Sequence, residues 1–292
     1  MHSQTLITTS STGYSLLDSG LEEKLERFGD VLIRRPDPQA LWNRRLPDEI
    51  WNSASATYIR QGERGHWKKS ASVPEAWTIP FGGLSMEIRL TSFKHTGIFP
   101  EQLANWQWAE SKIKKAARPI SILNLFGYTG GASLSVAQNG AHVCHVDGSK
   151  KAIEWARINA TASNLDDKPI RWIAEDALTF VKREIRRGKK YDAIIMDPPA
   201  FGHGPKNEIW KIEEHFLPII TDCFTLLSDT PLFFLLNGYS SGYSSIAFAN
   251  NLAQLLAKYG GPLEHGELAL KEEGADGRLL PAGIYARWSS LQ

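Results

Sequence analysis

From Pro119 onward the chain repeats one pattern, a short apolar run followed by a helix-length amphipathic stretch. The runs are ISILNLF (120–126), AHVCHVD (141–147), IRWIAE (170–175), YDAIIMD (191–197) and PLFFLLN (231–237). The helical patterns between and after them cover 131–140, 149–164, 176–188, 209–227 and 244–260. Runs this apolar and this short suit strands buried on both faces, and strands alternating with helices predict βαβ units in a parallel sheet. Two further β segments, EHGELAL (264–270) and LLPAGIYARW (279–288), are joined by the polar KEEGADGR with no helix between them. They predict an antiparallel hairpin at the sheet edge. The expectation is a mostly parallel α/β sheet of seven strands.

Before residue 93 the texture differs. Short β-like pieces at Tyr14–Asp18, Asp30–Arg35, Ala56–Gln61, Trp77–Pro80 and Leu84–Leu90 are broken by Gly, Pro and Asp. RPDPQALW and RQGERGHWKK read as loops or turns between them. SGLEEKLERFG (19–29) reads as an exposed helix capped by Ser19 and stopped by Gly29, and 100–117 as an amphipathic helix. The chain therefore divides into a small β-rich region over 1–92, a candidate for substrate recognition, and a catalytic region over 93–292.

Net charge is +1 over 292 residues, so total charge announces no nucleic-acid binder. Basic clusters such as Lys182/Arg183/Arg186/Arg187/Lys189/Lys190 read as solvated faces, with a phosphate track as the alternative. No apolar run approaches the ~18 residues of a membrane helix, and no secretory leader pattern is evident. Two cysteines, Cys144 and Cys223, in no paired or metal-like spacing argue against a disulfide framework or a zinc site. A cytoplasmic protein without a metal is expected.

In an open parallel sheet, ligands bind at the carboxyl ends of the strands, and the unusual residues of this half fall there. After the first strand, NLFGYTGGAS carries Gly127, Gly130 and Gly131, which permit a tight turn and close approach to bare backbone. Such a turn can equally serve chain reversal alone, and the spacing is not a clean G-x-G-x-x-G. The second strand ends at Asp147, which could accept both ribose hydroxyls of an adenosine or merely cap the next helix. Asp176 has the same two uses, with the Ala177 amide available to an adenine ring. The fourth strand ends in Asp197-Pro198-Pro199-Ala200-Phe201, a carboxylate fixed by two prolines beside an aromatic ring.

The motifs NLFGYTGGAS, HVDGSKKAIEWARINA, AEDALTFV and DPPAFG, in this order and spacing, resemble class I S-adenosylmethionine-dependent methyltransferases of Rossmann-like fold. More narrowly they are similar to the large-subunit ribosomal RNA methyltransferase group with D-P-P-x-F, whose K-T-G-F-F-x-D-Q segment is matched by HTGIFPEQ (95–102). The resemblance covers roughly 90 to 245. It implies that Phe126, Gly127, Tyr128, Thr129 and Gly130 form the cofactor turn, with Asn124 ahead of it. Asp147, with Gly148 and Ser149, would hold the ribose, and Asp176 with Ala177 the adenine. Asp197, Pro198 and Pro199 would face the methyl group, and Phe201 would stack on an extruded base. Phe99 and Gln102 are candidates in the segment before the sheet. The implied cofactor is S-adenosylmethionine and the implied substrate RNA, ribosomal RNA foremost.

Three departures qualify the match. Asn124 stands where many class I enzymes carry an acid, although the RNA group it resembles often has Asn there too. Members that methylate cytosine C5 carry a Cys beyond the fifth strand, whereas this chain has Ser240 and Ser241 there, so a cysteine–base intermediate is not expected. The group's PUA-type RNA-binding module is not expected in the first 90 residues, which better match the shorter β-rich domain adjoining the catalytic one. A protein or small-molecule substrate stays open on that account. A nicotinamide-binding protein is the remote alternative. His203 and Lys206 are expected in a loop over the site, where they could contact substrate phosphates.

Overall fold

The computed structural model describes residues 1–292 apart from 62–63, 93, 240–241 and 292. It contains two compact units. One comprises Met1–Leu6, Ala104–Leu268 and Gly283–Gln292; the other comprises Ile7–Leu103 and Ala269–Ala282.

The first unit is built on strands β1 (Ser121–Leu125), β2 (His142–Asp147), β3 (Ile170–Ala174), β4 (Ala193–Met196), β5 (Phe233–Gly238), β6 (Leu263–Lys271) and β7 (Leu279–Ser289). Their spatial order is β3-β2-β1-β4-β5-β7-β6. The first five pair in parallel, and β7 runs antiparallel to β5. The sheet has nine strands rather than the expected seven, because His2–Ser3 and Leu6–Thr8 both pair with β6. Segments of two and three residues are too short for an alternation to show in sequence.

Helices α1 (Leu103–Ala116), α2 (Gly131–Gln138), α3 (Lys150–Ala162), α4 (Ala177–Arg186), α5 (Ile212–Leu226) and α6 (Ser245–Tyr259) connect or flank these strands. Side chains alternate across a strand, so β4 sends Ile194 and Met196 into one core and Ala193 and Ile195 into the other. The same split divides Phe234 and Leu236 from Phe233 and Leu235 on β5. The first core takes Phe180, Ile220 and Leu252 from α4, α5 and α6; the second takes Ile113 and Val136 from α1 and α2. Each such burial contributes about 1.5–3 kcal/mol. Burial on both faces is why these strands read as unbroken apolar runs. The chain leaves β1 toward β2 and β3, then returns to β4 on the other side of β1. That reversal opens a crevice at the carboxyl ends of β1 and β4.

The second unit carries a five-stranded sheet of Tyr14–Gly20, Glu23–Phe28, Val31–Pro36, Ala56–Gln61 and Arg64–Lys69, with a separate hairpin of Trp77–Phe81 and Leu84–Ile88. The helix expected over 19–29 is absent. Its residues form the turn and second arm of a hairpin, with Leu21 and Glu22 left-handed at φ 53° and 60°. The Glu-Glu-Lys charge pattern suits a helix, but cross-strand pairing that buries Leu25 and Phe28 prevails over local propensity. Arg64–Lys69, expected as loop, pairs with Ala56–Gln61, and Trp67 packs edge-on against Tyr58 at 5.2 Å. Inside this unit Tyr14 Oη donates to Glu26 Oε1 (2.8 Å) and Arg35 Nη2 donates to the same oxygen (2.9 Å). Burial alone would raise the Glu26 carboxyl, but Arg35 and Lys24 bring it down to about 2.

Candidate active site

The turn after β1 is strained and closely packed. Phe126 and Tyr128 sit at φ 59° and 50°, a conformation costing a non-glycine residue about 1–3 kcal/mol, and Gly130 follows at φ 89°. Gly127 is required for a different reason. A β-carbon there would lie 2.4 Å from the ring of His145, which is fully buried on β2. Burial pushes His145 down to about 3, so the ring is neutral, and its Nδ1 lies 2.9 Å from Ser133 Oγ. Asn124 Nδ2 donates to that same hydroxyl at 2.8 Å. Asn124, Ser133 and His145 thus form a polar chain that supports the turn from within the core. Gly127→Ala is expected to lower the urea-unfolding free energy by about 1–3 kcal/mol through overpacking. An unchanged unfolding curve would show that the ring can move aside.

Asp147 joins two backbone segments. Tyr128 N donates to Oδ2 (2.8 Å) and Ser149 N to Oδ1 (2.7 Å), so one carboxylate pins the β1 turn to the β2 turn. Burial raises its pKa, the two amides pull it back, and the net shift is upward. No cation partners it among the described residues. Ser149, rather than Asp147, caps α3, accepting from Ala152 N. At the end of β3, Asp176 Oδ1 caps α4 by accepting from Thr179 N (2.8 Å), and Ala177 is buried in the core. Glu175 N donates to Asp147 O (3.1 Å), which ties the β3 end to the β2 end.

At the end of β4 the loop expected over 198–208 proves to be a hairpin, Phe201–His203 against Ile209–Lys211, and α5 begins at Ile212. Pro198 is buried and Pro199 exposed. Trp210 Nε1 donates to Pro199 O (2.6 Å) and Ile212 N donates to Ala200 O (3.0 Å). The Asp197 carboxylate and the Pro198 carbonyl accept no hydrogen bond among the described residues. Burial pushes Asp197 up to about 7. Phe201 is 56% exposed, edge-on to His203 at 5.1 Å. Trp210 escaped the reading of the sequence, which placed it inside a helical pattern.

Phe99 and Gln102 belong to the second unit, on either side of Pro100. Phe99 packs against His95 at 5.4 Å, and Gln102 is buried. Ser240 and Ser241 lie outside the described residues. Both cysteines are buried, and burial pushes the Cys144 thiol up to about 11 and that of Cys223 higher still. Neither is placed to act as a thiolate. Among the described residues no group of three or more His, Cys, Asp or Glu could hold a metal, and no helix is long and apolar enough to cross a membrane.

The crevice thus joins a glycine turn, an acid at the end of the adjacent strand and an acid-proline turn at the switch point. A family profile described as S-adenosylmethionine-dependent methyltransferase matches residues 57–213, more than half of the chain. The chain belongs to this family. A family member of known structure, an S-adenosylmethionine-dependent methyltransferase from Agrobacterium tumefaciens, is similar at TM-score 0.94 and 38% identity, over 99% of this chain and 95% of that one. The Ribosomal RNA large subunit methyltransferase K/L of Shewanella pealeana is 28% identical over 238 residues, 74% of this chain and 32% of the relative. The protein of the same name from Pseudoalteromonas atlantica is 24% identical over 274 residues, 86% of this chain and 36% of the relative. The chain spans about a third of the length of these curated relatives.

The residues present fit the family's cofactor. Asp147 is a partly buried carboxylate with no cation beside it among the described residues, the type of acceptor that ribose hydroxyls satisfy. The N-terminus of α2, directly after the glycine turn, has no side-chain cap, which leaves its first amides open to a carboxylate.

Proposed function

We propose that the protein methylates a base nitrogen in structured RNA, ribosomal RNA foremost, using S-adenosylmethionine and no cysteine–base intermediate. The observation that carries this reading is a pair of acceptors at the switch point that have no donor among the described residues, the Asp197 carboxylate and the Pro198 carbonyl, next to the exposed ring of Phe201. Asp197 is partly buried and Pro198 buried, so these acceptors are poorly hydrated, and a methyl-accepting group that bears an N–H would satisfy both. The names of the relatives from Shewanella and Pseudoalteromonas support ribosomal RNA as the substrate class.

When bound, the cofactor's sulfonium supplies the methyl group. The chain's own task is alignment. Asp147 and the Phe126–Gly130 turn, with Gly148, Ser149, Asp176 and Ala177 around them, hold the adenosine side. Asp197 and Pro198 would hold the substrate nitrogen in place for transfer, and Pro199 locks the backbone that presents them. On accepting the methyl group the nitrogen would shed one proton. Asp197, titrating near 7, can accept it. Phe201 offers a face for an unstacked base. Substrate choice falls to the region 1–92 and methyl transfer to 93–292, working in the cytoplasm where ribosomal RNA is modified.

Tritiated S-adenosylmethionine incubated with the protein and RNA from cells lacking it should label that RNA, while RNA from normal cells stays unlabelled. Label in neither pool would set RNA aside in favour of a protein or small-molecule acceptor, the reading favoured by the near-neutral net charge of +1.

A further inference from the structure

The two prolines after Asp197 have no N–H, so this turn cannot tie itself down with its own donors. Its next two carbonyls are its handles, held by the returning arm of the hairpin and the start of α5: Pro199 O by Trp210 Nε1 (2.6 Å) and Ala200 O by Ile212 N (3.0 Å). Trp210 is 3% exposed and pairs with Gly202 across the hairpin. The indole packs edge-on to Phe126, with centroids 4.8 Å apart and planes at 60°, and His215 covers it at 5.5 Å. Phe126 is the first left-handed residue of the β1 turn. The hairpin also reaches the β2 turn, because a β-carbon on Gly148 would lie 3.2 Å from His203 O and 3.3 Å from Gly204 Cα.

One side chain therefore touches the turn assigned to the cofactor and bonds the turn that presents the acceptor pair. We propose that Trp210 is a positioning residue that couples the Phe126–Gly130 turn to Asp197 and Pro198, so that an occupied cofactor turn fixes the acceptors for transfer. The inference rests on the methyl-transfer reading above. Its physical basis is rigidity: a packed aromatic pair transmits displacement, and the indole N–H converts a shift at Phe126 into a shift at Pro199. A misplacement on the order of 1 Å in a transfer geometry costs about a hundredfold in rate.

The first measurement needs no substrate. Hydrogen exchange is followed by mass spectrometry in peptides spanning 126–130 and 199–212, with and without S-adenosylhomocysteine. In the wild-type protein the ligand slows exchange in both peptides. In Trp210→Phe, which keeps a ring and deletes the N–H, it slows the first and protects the second much less. In Trp210→Ala it slows the first alone. A second measurement separates positioning from mere anchoring. Trp210→Phe should lower kcat at least about tenfold while S-adenosylhomocysteine affinity stays within about threefold. Equal protection of both peptides in the two variants would overturn the proposal. So would wild-type kcat in Trp210→Phe, or a loss of ligand affinity in proportion to the loss of kcat. If the wild-type protein labels no RNA, the substrate reading falls, while the exchange experiment still decides the role of Trp210.

Discussion

Asp197→Asn is expected to lower kcat for RNA methylation about 10²–10³-fold while cofactor affinity holds. The carboxylate has no partner among the described residues, so its replacement breaks nothing in the resting protein and acts on the acceptor site alone. Burial holds its pKa at about 7, so kcat/KM of the wild-type protein should rise with pH through about 7. That rising limb should vanish in the asparagine variant. Stability should move the other way. An aspartate whose folded pKa lies above its unfolded value penalises folding once it ionises. The penalty is complete above pH 7 and fades as pH falls from 7 toward 4. Asparagine mimics the protonated form, and so should raise the unfolding free energy by about 1–3 kcal/mol at pH 8 and by much less near pH 5. A variant that is less active and more stable marks a group kept for function. An unchanged pH profile, or an asparagine variant with wild-type turnover, would remove Asp197 from the transfer step.

The second large effect is expected at Asp147. Asp147→Asn should weaken S-adenosylhomocysteine binding about 10²-fold, read by calorimetry. The carboxylate accepts from Tyr128 N and Ser149 N at the same time. Asparagine has one oxygen for two amides and turns its NH₂ toward the other, which loosens the joint between the two turns. It also removes the charge that strengthens a bond to a ribose hydroxyl. Affinity within about threefold of wild type would show that Asp147 serves the turns and not the cofactor.

Much of this site was legible from local sequence. Gly127, Asp147, Asp176 and Asp197 each stand where an apolar run stops, and a parallel sheet gathers the ends of its strands at one edge. Why Gly127 must be glycine was not legible, because the obstacle is the His145 ring on the neighbouring strand. The hairpin 201–211 was hidden for a related reason. Its second arm, IWK, runs without a break into the apolar period of α5, and only pairing with Phe201–His203 separates the two. The segment 19–29 misled in the opposite direction, since its charges favour a helix that the pairing of Leu25 and Phe28 overrides.

By itself, then, the sequence determined the α/β alternation, the sheet edge at which the strands end and the acids that stand there. Those features follow from periodicity and chain order, which are local. The tertiary structure alone decided that Asp147 pins two turns, that Asp197 and Pro198 have no partner among the described residues, and that Trp210 joins Phe126 to Pro199. Each of these is a contact or a missing contact between segments distant in sequence, settled by packing that no local pattern encodes.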